Sequence, residues 1–305
     1  MIQDIYPSRF KNEYKDYAIG DEDNLLIFDK DGKILIADML GKIVFMKGLN
    51  AKDKNAVYLF SIDDKRFFLL DNFEEKIGKN DEDSEENNEE ENGNDASLIQ
   101  QLNSSGEKFA YYTIREIRDK FSGTSMVEVF AAFTAYHLWR WYSENRFCGK
   151  CGSPLKHGDK ERSLICTDCG NVIYPRINPA VIVGVTKGDS LLLTKYRRGY
   201  AHNALVAGFT EIGETLEETV AREVMEETGV KVKNIRYYKS QPWGMAQDIL
   251  AGFFCDADGD GEIHMDENEL KYAEWVKRED IELQPNNLSL TNEMMRIFKD
   301  NCGWS

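Results

Sequence analysis

The sequence predicts an α+β protein in three parts: a β-rich amino-terminal domain (1–145), a small cysteine-stapled segment (146–176) and a carboxy-terminal domain of strands with a few helices (177–305). Three observations lead there. Apolar runs broken by Asp and Gly fill the first part. Four cysteines then pair off as Cys-x2-Cys. Beyond Pro175, short apolar runs flank one long acidic segment, "AGFTEIGETLEETVAREVMEETGV", residues 207–230.

The bulk numbers set the limits. A chain of 305 residues exceeds one average domain, and its 42% hydrophobic content suffices for packed cores. The sequence has no run of about twenty apolar residues, so no membrane span is expected. "MIQDIYPSRFKNEYKDY" lacks the apolar core of a secretory signal, which predicts a cytoplasmic protein. The net charge is −16, but Asp81 to Asp95 holds nine acidic residues and no basic one; without them it is −7. Such a run repels itself and has almost nothing to bury, so an insertion over about 74–97 is expected to be disordered. The remaining charge neither demands nor excludes a nucleic-acid partner.

Taken in order, "NLLIFDKDGKILIADML" places two apolar runs around Asp31-Gly32, a hairpin signal, and "AVYLFSIDDKRFFLL" repeats it around Asp63-Asp64. After the acidic insertion, "KFAYYTIREI" resumes ordered sequence. Ser125 to Glu144 is apolar all round without Gly or Pro, which predicts a well-buried helix. Further on, "AVIVGVT" and "SLLLTKY" read as paired strands. "KVKNIRYYKS", "DILAGFFCDA" and "AEWVKR" read as further strands, and "SLTNEMMRIFKD" as a closing helix.

Cys148-x2-Cys151 and Cys166-x2-Cys169 are separated by fourteen residues. Each tight turn aims two thiolates at one point, and two such knuckles complete a tetrahedral zinc site. With four sulfurs and no open position the zinc is expected to be structural. His157, between the knuckles, is expected in a loop. Asp256 to Glu267, "DADGDGEIHMDE", fits the calcium-loop template, but a strand-like run precedes it, so an acidic turn between strands is favoured over a calcium site.

In the acidic segment, Thr215-x-x-Glu218 forms a capping box that starts a helix, and Gly229 should end it. Leu216, Val220 and Val224 form an apolar row. Glu223, Glu226 and Glu227 project from one side. Three adjacent carboxylates repel one another unless a cation sits among them, and hard divalent ions take carboxylate oxygens and substrate phosphates together.

Gly208, Glu214 and then Arg222-Glu223-Val224-x-Glu226-Glu227-x-Gly229-Val230 match the Nudix box at every defined position, so the chain resembles the Nudix hydrolases. The resemblance implies a Nudix α/β/α sandwich that hydrolyses a nucleoside diphosphate linked to another group. Glu223, Glu226 and Glu227, with the backbone carbonyl of Ala207, would hold Mg²⁺ or Mn²⁺. One glutamate, or a metal-held hydroxide, would activate water, while Arg222 braces the box. The four-cysteine ribbon, "YPRINPAVIVGV" and "SQPW" make the stretch from about Trp139 to Val276 similar to the NADH pyrophosphatase branch; the similarity is weaker before Ser125. That branch implies a substrate pocket using Gln241, Pro242 and Trp243, stacking on Phe209, a substrate-side Tyr174 and a further metal ligand, Glu269. It also implies a homodimer and a substrate of NADH, NAD⁺ or NAD-capped RNA. ADP-ribose hydrolysis, or a zinc-ribbon nucleic-acid-binding regulator, are the rival readings. The family's Pro-Phe-Pro after "SQPW" is replaced here by Gly244-Met245-Ala246, which puts the preference for reduced dinucleotide in doubt.

Overall fold

The computed structural model describes residues 1–48, 55–70, 108–197 and 202–301. The acidic insertion lies outside the described residues. The chain divides into two units, one of residues 5–176 and one of residues 1–4 with 177–305.

In the first unit, five strands form one sheet: β1 (Phe10–Lys11), β2 (Asn24–Leu26), and, further along the chain, the ranges Met46–Lys47, Ala56–Ile62 and Lys65–Leu70. The expected hairpin around Asp63-Asp64 is there, pairing Ile62 with Lys65 and Ala56 with Leu70. The one expected around Asp31-Gly32 is short. Its turn forms, with Asp29 Oδ1 accepting from the N–H groups of Asp31 and Lys33. Its arms pair antiparallel at Phe28 and Ile34, where the Asp29 N–H donates to the Lys33 carbonyl and the Leu35 N–H to the Ile27 carbonyl, both at 2.9 Å. The strands then part. β2 runs parallel to Lys65–Leu70, and β3 (Ile34–Met39) joins a separate sheet with β4 (Lys42–Val44) and Phe109–Tyr112. Both runs are buried on both faces, so neither carries the one-sided alternation that would tie it to the other. Leu25, Ile27, Leu35, Ala37, Met46, Tyr58 and Phe68 form one core across the two sheets.

Thr113 caps helix α1 (Ile114–Phe121) with a full capping box, and α2 (Met126–Glu144) follows. Nine of its nineteen residues are buried, from Val129 to Tyr142, as the all-round apolar sequence predicts. The chain then enters a three-stranded ribbon made of Leu155–His157, Leu164–Cys166 and Val172–Ile173. His157 closes a strand opposite Leu164, rather than lying in the expected loop.

The second unit is a six-stranded sheet between two helices. Its spine, Asn178–Lys187, pairs in parallel with Asp248–Ala257, antiparallel at one end with Val206–Phe209, and at the other with Ser190–Tyr196. Val232–Trp243 and Leu270–Lys277 complete the sheet. Helix α3 (Leu216–Thr228) packs Val220 and Val224 on Val181, Val183 and Val206. On the opposite face α4 (Leu290–Lys299) packs Leu290, Met294, Met295 and Phe298 on Ala180, Ile182, Leu250 and Phe254. This is the expected α/β/α sandwich. The first residues of the chain stitch onto it, Ile2 N–H donating to the Leu288 carbonyl at 2.9 Å. Among the described residues no helix is long and apolar enough to cross a membrane.

Candidate active site

Helix α3 starts and stops where its sequence says. Thr215 and Glu218 exchange both hydrogen bonds of the capping box, and Gly229 ends the helix in the left-handed region at φ 70°. Fixing both ends sets the rotation of the helix, and with it the direction of its glutamates.

Glu223 points at the backbone of Gly208. A Cβ on Gly208 would lie 2.0 Å from the Glu223 carboxyl carbon, so only glycine lets strand and carboxylate come this close. Arg222 uses all five of its N–H donors: on Glu214 at 2.5 and 2.9 Å, Glu223 at 2.8 Å, Glu226 at 3.0 Å and the Phe209 carbonyl at 3.0 Å. The paired guanidinium, helped by the Glu211 N–H, draws Glu214 down to about 2.

Glu227 faces inward and is 2% exposed. Burial first, then the charges of Glu269 and Glu223, pushes its carboxyl up to about 8, against the opposing hydrogen bond of Tyr196. Glu223 is also raised, again chiefly by burial and in part by Glu226 and Glu269. The three form one electrostatically coupled set, while Glu226 stays at the exposed edge. Crowded carboxylates that resist ionisation fit a site built to be completed by a cation. Glu269 is exposed, and its carbonyl accepts from the Arg197 N–H at 3.0 Å. Tyr196, which no spacing in the sequence singles out, lies against Glu227: its hydroxyl is 3.1 and 3.3 Å from the carboxylate oxygens and 3.5 Å from the Ala207 carbonyl.

The other residues expected at the substrate divide. Phe209 is 51% exposed at the end of its strand, and Trp243, like Ala207, packs on the apolar cluster under α4. Pro242 is exposed. Gln241 is fully buried and its amide is committed to the fold, donating to the Leu288 carbonyl and Gln3 and accepting from the Leu290 N–H. Gly244-Met245-Ala246 forms a turn, with the Ala246 N–H donating to the Trp243 carbonyl at 3.3 Å. Just beyond it Asp248, 5% exposed, buries an Oδ1 with no hydrogen-bond partner, and burial pushes its carboxyl up to about 6. Tyr174 belongs to the other unit, where its hydroxyl donates to Glu161 at 2.8 Å.

The calcium-like stretch joins two strands. Asp256 lies in a strand and binds Arg236, Asn234 and Thr186, which draws it down to about 2, Arg236 contributing most. A loop whose first acid is already paired with an arginine is a poor calcium cradle.

In the ribbon, the sulfurs of Cys148 and Cys169 are 3.7 Å apart, Cys151 and Cys166 3.4 Å, and Cys151 and Cys169 3.5 Å. Four sulfurs about 2.3 Å from a central zinc stand about 3.8 Å from one another, so the quartet fits the ion. The N–H groups of Lys150 and Cys169 point at Cys148 and Cys166, and the first helps hold the Cys148 thiol below its ordinary range. Among the described residues, this is the one set of metal-type side chains whose ligand atoms all lie within 4.8 Å.

Residues 176–296 match the NUDIX domain and residues 143–174 the NADH pyrophosphatase zinc ribbon domain. The chain therefore carries a Nudix domain preceded by an NADH pyrophosphatase zinc ribbon domain. It is 39% identical over 176 residues to a protein of Klebsiella pneumoniae named NAD-capped RNA hydrolase NudC, and 40% identical over 175 residues to its namesake in Salmonella typhi. Each alignment covers 57% of this chain and 66% of the relative, just under two thirds of its length. Among solved structures, a Nudix hydrolase from Nitrosomonas europaea is 22% identical with a TM-score of 0.45, covering 51% of this chain and 91% of that one.

Proposed function

We propose that this chain hydrolyses the diphosphate of NADH and NAD⁺ to nicotinamide mononucleotide and AMP, and acts in the same way on NAD-capped RNA 5′ ends. The observation that carries the reading is the coupled set of Glu223, Glu227 and Glu269 beside the Gly208 backbone, in a chain whose named relatives are NAD-capped RNA hydrolases. Glu223, Glu226 and Glu227, with the Ala207 carbonyl and Glu269, would hold Mg²⁺ or Mn²⁺. When bound, the ion neutralises charge on the phosphoryl oxygens, the main demand of phosphoryl transfer. Arg222 keeps Glu223 and Glu226 aimed without touching substrate. A glutamate of the set takes a proton from the water that attacks phosphorus, and the phosphoanhydride P–O bond breaks. Phe209 offers an exposed ring for stacking a base or nicotinamide, with Pro242 and Trp243 at the end of the strand Val232–Trp243. Gln241, buried in the same strand end, shapes it from beneath. Tyr174 is assigned to the substrate side through the resemblance alone, as are a homodimeric state and a cytoplasmic setting. Zinc in the four-cysteine ribbon is structural.

The test is product analysis. NADH incubated with the protein and Mg²⁺ or Mn²⁺ should yield AMP and reduced nicotinamide mononucleotide in equal amounts. Hydrolysis of ADP-ribose by a wide margin over both dinucleotides would remove the substrate assignment and leave the hydrolase. No hydrolysis of any nucleoside diphosphate derivative would favour the nucleic-acid-binding reading.

A further inference from the structure

We infer that Tyr196 is a positioning residue for Glu227, orienting its carboxylate toward the divalent ion without neutralising it; the inference rests on the functional reading above. Tyr196 ends the strand Ser190–Tyr196, on the same side as Leu192, which packs in the core under α3. At that point the pairing with Leu270–Lys277 slips: Lys195 faces Tyr272, and Tyr196 faces Leu270. Such an irregularity increases the local twist and re-aims the side chain at the strand's end. Here the strand ends with the phenol hydroxyl against both oxygens of Glu227, at 3.1 and 3.3 Å, and 3.5 Å from the Ala207 carbonyl.

The hydroxyl carries one proton, and the nearest acceptor is Glu227, so the Ala207 carbonyl keeps its lone pairs for another partner. The contrast with Glu223 is informative. Glu223, nearer the surface, is braced by the Arg222 cation. Beside the buried Glu227, a second guanidinium would cancel the negative charge a divalent ion needs. A neutral hydroxyl fixes direction and leaves the charge in place. Partners of this kind, one step removed from a metal, typically contribute about 10–100-fold in metal affinity or activity.

Tyr196→Phe removes one oxygen and keeps the ring. Mn²⁺ affinity measured by calorimetry on the substrate-free protein should weaken about 10-fold or more. The kcat for NADH should fall with KM nearly unchanged, and Tm should stay within a few degrees. A Tyr196→Phe protein with wild-type Mn²⁺ affinity and kcat, whatever its Tm, overturns the inference and leaves the hydrolase reading intact. Wild-type and Glu227→Gln proteins that bind Mn²⁺ equally and hydrolyse nothing would overturn both.

Discussion

Gly208→Ala isolates the geometry of the site from its charges. The added methyl would sit 2.0 Å from the Glu223 carboxyl carbon and 2.1 and 2.2 Å from its oxygens. Ordinary contact begins at 3.4 Å, so the carboxylate must retreat by about 1.4 Å. It cannot simply swing away, because Arg222 holds Oε1 at 2.8 Å and Glu214 and Glu226 share that guanidinium. A misplacement of about 1 Å in a reacting assembly costs about 100-fold, or about 2.7 kcal/mol of barrier. The strand backbone at Gly208 is not at positive φ, so alanine imposes no backbone strain. The variant should therefore fold with a small loss of Tm and lose about two orders of magnitude in kcat. The assay is kcat and KM for NADH at saturating Mn²⁺, alongside a thermal melt. Gly184→Ala is the control. Its methyl would meet the Phe254 ring at 2.7 Å, away from the carboxylates, and should lower stability with little change in turnover per folded molecule. A Gly208→Ala enzyme within threefold of wild-type kcat would refute the reasoning.

Glu227→Gln keeps the shape and removes the charge, so it should fold normally and lose most turnover; near-wild-type kcat at saturating Mg²⁺ contradicts the ligand assignment. Protein purified without added zinc should contain about one zinc per chain, and Cys166→Ser should melt earlier; a zinc-free protein of full stability refutes the ribbon's role. The raised Asp248 carboxyl stabilises the fold below pH 4, and that contribution is lost as pH rises through about 6. The Tm advantage of Asp248→Asn over wild type should thus grow between pH 4 and pH 7, and a pH-independent difference would exclude the effect. Restoring Pro-Phe-Pro at 244–246 should sharpen the preference for NADH over NAD⁺ in kcat/KM, because stacking on one aromatic contributes roughly 1–3 kcal/mol; an unchanged ratio would show that the loop does not select.

Legibility in the sequence followed the range of the physics. Helix α3 could be bounded from both ends because its capping box and Gly229 act within a few residues. The cysteine quartet was legible because a knuckle is local and a tetrahedron needs two. What failed was anything decided by distant partners. β2 and β3 have a hairpin turn between them, yet they leave for different sheets because both faces of each run are apolar. That the amide of Gln241, expected in the pocket through "SQPW", is held by Leu288, Leu290 and Gln3 cannot be read from its place in the chain. Tyr196 carries no motif, and only the folded sheet and helix bring it to Glu227.

The last turn of α3 shows why so improbable a sequence persists. A helix carries partial negative charge at its carboxy-terminal end, where an acidic side chain is disfavoured by roughly 0.3–1 kcal/mol. Helix α3 places Glu226 and Glu227 there and has no basic residue in that turn. Local rules broken in this way mark a functional demand, with compensation supplied elsewhere. The compensation comes from the stretch that resembles a calcium loop. The Asp266 N–H donates to the Glu227 carbonyl at 2.9 Å and the His264 N–H to the Thr228 carbonyl at 2.8 Å, satisfying terminal carbonyls that would otherwise seek water. Gly229 permits the approach, since a Cβ there would stand 2.8 Å from the His264 Cβ. The loop therefore serves the acidic helix through its backbone, while its best-placed acid, Asp256, is spent on Arg236. A segment that reads as a cation site by its side chains instead supports, through its N–H groups, the helix end whose carboxylates are proposed to hold a cation.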